Sequence, residues 1–79
     1  MPRFYFHLIN DMNVPDDEGR ELPDVEAARN WAALSVRKLA GQILKEEGRI
    51  ALHHRIDIED EWHNVVAAVQ FRDVVKVED

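Results

Sequence analysis

Cysteine is absent from the 79 residues, and with it go disulfides, thiol chemistry and thiolate metal sites. Threonine is absent too, and the only serine is Ser35. Ser35 falls inside the strongest helical pattern, where its hydroxyl is expected to bond back to a carbonyl one turn earlier rather than act as a nucleophile. The three glycines, Gly19, Gly41 and Gly48, stand far apart, so no glycine-rich loop is there to cradle phosphate. No apolar run approaches the roughly 20 residues of a membrane span, and Met1-Pro2-Arg3-Phe4 opens straight into strand-like sequence rather than a signal peptide. Positive charge is in deficit: 10 Lys+Arg face 16 Asp+Glu, net −6, which disfavours nucleic acid and anionic membranes as partners. The expectation is a cytoplasmic protein that is not an enzyme and carries no cofactor.

What remains suffices for one small domain spanning 1–79. Hydrophobic residues make up 46% and charged residues 33%, too apolar a mixture for a disordered tail. Arg3 to Ile9 is dense in aromatic and branched residues and reads as a strand. Phe4, Phe6 and Leu8 share the more uniformly apolar face, assigned to the core, and Tyr5, His7 and Ile9 share the other. Asn10 to Gly19 reads as a polar loop in which Asp16, Asp17 and Glu18 form a solvated acidic stretch, followed by a short strand at 20–22.

Pro23-Asp24 then opens a helix over about residues 24–47. Asp24 suits the N-cap, and Gly48 suits the position just past the C-terminus. Val25, Ala28, Ala32, Val36, Leu39 and Ile43 recur at spacings of three and four, one apolar stripe. Gly41 inside the helix is expected to serve close packing. From Ile50 to Glu59 the pattern alternates, with Leu52, His54, Ile56 and Ile58 inward and His53, Arg55, Asp57 and Glu59 outward. A turn at 60–63 leads into a returning strand over about 64–72, its core side being Val65, Ala67, Val69 and Phe71. The predicted fold is α+β: a two-layer domain with one long helix on an antiparallel sheet of three main strands, 3–9, 50–59 and 64–72.

The run Pro2-Arg3-Phe4-Tyr5-Phe6-His7-Leu8, followed by Asp17-Glu18-Gly19 and Leu22-Pro23-Asp24-Val25-Glu26-Ala27-Ala28, resembles a family of small bacterial proteins of unknown function, common in alphaproteobacteria. Asp60-Glu61, Val65-Val66-Ala67 and Val69-Gln70-Phe71-Arg72-Asp73 are similar to its C-terminal part. The resemblance implies no activity, cofactor or catalytic residue. Such proteins usually carry Asp-Gly in the late turn where Trp62-His63 stands here. A glycine there would take a positive φ without strain. Its replacement implies either another turn type or a Trp62 recruited to pack against something.

Four histidines invite a metal, but a zinc or nickel site needs three or four converging ligands. No metal site is expected; the nearest candidates are His7 and His53 on the uncovered sheet face. On a strand, adjacent His53 and His54 point to opposite faces and cannot both ligate. Two functional classes follow. The first is an interaction module that self-associates, as a homodimer, or binds a protein partner. Its interface candidates are Tyr5, His7, Leu34, His53, Trp62 and Val66, exposed apolar or outer-face positions that a monomer does not need. The second is a small-ligand or metal-binding protein using the histidine-bearing outer sheet face.

Overall fold

A computed structural model of the chain describes residues 1–11 and 13–78. The elements run β1 (Arg3–Ile9), β2 (Asn13–Val14), β3 (Arg20–Glu21), α1 (Val25–Glu47), β4 (Arg55–Glu59), β5 (Val65–Gln70) and α2 (Phe71–Val74). The architecture is the expected α+β one: a long helix on an antiparallel sheet ordered β2-β1-β4-β5, with β3 also paired to β1.

The ends of α1 follow from its cap residues. Asp24 accepts from the Ala27 N–H at 2.8 Å, and Gly48 at φ 71° donates its N–H to the Leu44 carbonyl at 2.9 Å. Within the helix, Ser35 Oγ donates to the Trp31 carbonyl at 3.0 Å, so the one serine is held as a structural hydroxyl. The buried side of α1 is Ala28, Ala32, Val36 and Ala40, three of them alanines, which lets the helix axis approach the sheet closely. Phe4, Ile56, Ile58 and Val69 meet it from the sheet, and Phe71 fills the end of the layer. Phe6 and Leu8 pack against this cluster but are only partly buried. Gly41 does not serve packing: a Cβ there would meet nothing within 4 Å.

The helix therefore covers one face of the sheet. The other carries Tyr5, His7 and Ile9 of β1, Arg55, Asp57 and Glu59 of β4, and Val65, Ala68 and Gln70 of β5, cross-paired in that register. No helix or further strand among the described residues lies over it.

Two expected strands are shorter than their sequence pattern. β4 begins at Arg55, not at residue 50, because both neighbours stop there: Arg55 is the last residue paired with β1 and with β5. Leu52 and His53 form a turn instead, held by the Arg72 N–H donating to the Leu52 carbonyl at 3.2 Å. β5 ends at Gln70 because the Asp73 carboxylate takes the Gln70 N–H at 3.2 Å and starts α2. A bulge between Ile58 and Glu59 puts Glu59 opposite Val65, with Ile58 opposite Ala67. The extra residue reverses the start of β5: Val66 packs against the core and Val65 is 61% exposed. Val65 as a core residue and Val66 as an outer-face residue are both corrected by that bulge.

The stretch expected to be a solvated acidic loop is instead the device that closes one sheet edge. Between the pairs Leu8↔Val14 and Phe4↔Arg20, β1 advances four residues and its partner six, so two residues must be looped out. Asp16 fills the gap in the ladder. Its carboxylate accepts the Phe6, Glu18 and Gly19 N–H groups, each at 3.1 Å, while its own N–H donates to His7 Nδ1 at 3.0 Å. Partial burial works to raise the Asp16 pKa, but the backbone donors, Phe6 first, and the nearby His7 outweigh it and hold it below the ordinary aspartate value. A carboxyl with a lowered folded pKa contributes stability that is complete above its unfolded pKa of about 3.9. That contribution disappears as pH falls through the lower folded value. Asp16→Asn should therefore cost about 1–2 kcal/mol at pH 7, in the range of a lost carboxylate cap. The gap between wild type and variant in urea unfolding should narrow below about pH 4. A gap independent of pH would show that the charge on Asp16 is not what the loop uses.

Candidate functional site

The two edges of the sheet are treated differently, and this asymmetry defines the candidate site. Along β1, residues 13–22 run as an interrupted edge strand, joined by β2, the Asp16 carboxylate, β3 and the Leu22 N–H donating to the Pro2 carbonyl at 3.1 Å. Arg20 of β3 also lies over the Trp31 ring at 3.9 Å, tying this edge to α1. Along β5 nothing is laid among the described residues.

The free edge has a definite extent. The Phe71 N–H donates to the His54 carbonyl at 2.8 Å, continuing the register in which Val69 faces Ile56. Alternation along an antiparallel ladder then directs the N–H and C=O of Ala68 and Gln70 away from β4. Asp73 takes the Gln70 N–H, so the open stretch runs from Val65 to Val69. Its side chains are Val, Val, Ala, Ala and Val, without the charge or proline that edge strands commonly use against pairing. Beside its start stand Val65, 61% exposed, and Trp62, 72% exposed. Trp62 projects from the turn with most of its ring in solvent.

That turn is built on Asp60, whose carboxylate accepts the Trp62 and Asn64 N–H groups, each at 2.9 Å. The Asn64 bond, then the Trp62 bond, hold Asp60 below the ordinary aspartate pKa against a raising effect of desolvation. His63 takes φ 67°, the left-handed conformation a glycine would adopt freely, so the turn is held at some backbone strain. His63 Nδ1 donates to Glu59 Oε1 at 3.0 Å, and His7 Nε2 lies 3.6 Å from the same oxygen. The His63 bond is the main cause holding Glu59 below the ordinary glutamate pKa, with His7 adding to it against desolvation. His7 is thus engaged on both ring nitrogens, by Asp16 and by Glu59, and its ring is stacked near-parallel to Tyr5 with centroids 6.4 Å apart. On the same face Arg55 and Asp57 are paired at 2.8 Å.

The predicted interface residues do not form one patch. Tyr5 and His7 lie on the outer face, and Trp62 stands at the Glu59 end of β4. Val66 turns inward. Leu34, 49% exposed, sits on the side of α1 away from the sheet. His53 lies in the turn at the other end of β4 and not, as expected, on the sheet face with His7. The last strand, with its uncovered edge, is a second place to which the sequence points for self-association, and β5 ends the sheet. Its signal was present in the sequence, as five residues from Val65 without a charge.

A family model matches residues 3–72, from the first residue of β1 into α2. The chain belongs to the DUF6894 family, a domain of unknown function. No curated protein and no solved structure matches it. The DUF6894 match takes in both the closed β1 edge and the open β5 edge, together with the Trp62-His63 turn.

Proposed function

We propose that this domain is a small interaction module, binding rather than catalytic, that self-associates through β5. The observation that carries the reading is the edge asymmetry: ten residues and the Asp16 carboxylate close β1, while β5 is left open, uncharged and flanked by exposed Val65 and Trp62. Open edges of this composition are templates for a further strand. A second copy is the simplest occupant, because two antiparallel β5 strands related by a two-fold axis present the same groups to each other. The join would make one continuous sheet across both protomers, and the outer faces around Tyr5 would lie side by side. Asp73 and its partner's Asp73 would mark the ends of the new ladder.

Val65→Lys tests this without touching the core, since the side chain is largely in solvent. A lysine at an edge strand opposes pairing, and a surface change of this kind should alter the stability of one protomer by no more than about 0.5 kcal/mol. The expected result in sedimentation is a folded monomer where the wild type is a dimer. A variant that sediments as the wild type does moves the contact away from β5.

A further inference from the structure

We propose that Asp11, His53 and His54 form a binding site for a first-row divalent transition-metal ion, with zinc as the first candidate. The donors come from two segments that the fold brings together at the Arg55 end of β4, remote from Trp62 and Val65. One segment is the loop after β1, and the other is the turn before β4. One ligand atom from each of the three residues lies within 4.8 Å of the others. The argument that neighbouring histidines point to opposite faces applies to a strand, and residues 51–54 are not one. In the turn the two rings meet edge to face with centroids 4.6 Å apart.

His54 supplies the independent observation. Its ring is fixed edge-on against Phe71, centroids 5.7 Å apart, and its Nε2 is shut from solvent with no hydrogen-bond partner. A buried ring nitrogen without a partner is uncommon and calls for an explanation. Asp11 Oδ1 is the group in front of it, at 3.9 Å, too far for a hydrogen bond. That gap fits an ion held about 2.0–2.2 Å from each donor. Asp11 and His53 are exposed, so their side chains can swing in by the roughly 1 Å that closing three donors on one ion requires, while His54 stays as the anchor. Two imidazoles and one carboxylate suit zinc, cobalt(II) or nickel and leave at least one position for water. Hard cations prefer all-oxygen sets and are not expected here. Glu47 and Arg49 line the same cleft with opposite charges, so the field there does not oppose a cation.

Calorimetric titration of the untagged chain with Zn²⁺, and visible spectroscopy with Co²⁺, test the site directly. The expected result is one ion per chain and a Co²⁺ spectrum of the low-coordinate type. Asp11→Asn and His53→Gln, both surface changes, should each weaken binding at least about tenfold, since even outer-shell changes do that much. Their unfolding without metal should match wild type. His54→Gln should abolish binding; if it does not fold, the two surface variants decide. The proposal is overturned by absence of zinc binding, by binding unchanged in Asp11→Asn and His53→Gln, or by binding lost instead in His7→Gln or His63→Gln. None of these outcomes depends on whether β5 pairs.

Discussion

Phe71→Ala should destabilise the domain by about 3–5 kcal/mol, the usual cost of truncating a buried aromatic ring. Phe71 is fully buried, the largest such side chain among the described residues, and it belongs to the core cluster shared by α1 and the sheet. A domain of this length has roughly 4–12 kcal/mol in total, so the variant should sit close to unfolding in water. Phe6→Ala should cost less, because Phe6 borders the cluster while part of its ring remains in contact with solvent. Urea unfolding followed by tryptophan fluorescence gives both numbers. If Phe71→Ala unfolds within 1 kcal/mol of wild type, the centre of the core lies elsewhere.

The second large effect is expected at Gly19→Ala. A Cβ at Gly19 would stand 2.8 Å from the Phe4 carbonyl oxygen, 2.9 Å from Tyr5 Cε1 and 3.0 Å from Arg3 Cγ, at φ +68°. The positive φ alone costs a non-glycine residue about 1–3 kcal/mol. The backbone oxygen cannot move without breaking the Phe4↔Arg20 pair, so a total near 3 kcal/mol is expected. Gly48→Ala is the control. It has nearly the same φ, 71°, but nothing within 4 Å of the new Cβ, so only the conformational part remains. Equal costs at the two sites would show that Gly19 does not press on β1.

These two residues also mark what was legible in the sequence. Local rules sufficed for α1: a carboxylate cap at Asp24, a left-handed glycine at Gly48 and an apolar stripe between them need no partner to be recognised. β1 was equally plain, since seven consecutive strand-forming residues leave few alternatives. Residues 50–54 alternate as well as any strand, yet a strand exists only where neighbours supply a ladder, and both neighbours end at Arg55. The bulge that turns Val65 out and Val66 in leaves no mark in a run of valines and alanines. Charge alone predicts a solvated Asp16; the three N–H groups it accepts belong to β1 and to its own loop and come together only on folding. The pair His53-His54 carries the same lesson, since its meaning changes with the backbone that bears it.

The central claim is that β5 is an edge built to pair. Light scattering on the untagged wild-type chain at micromolar concentration tests it most directly. Self-association through β5 predicts a mass twice the 9.2 kDa of the single chain, falling to that single mass in Val65→Lys. A wild-type mass of 9.2 kDa at every concentration reached would contradict it.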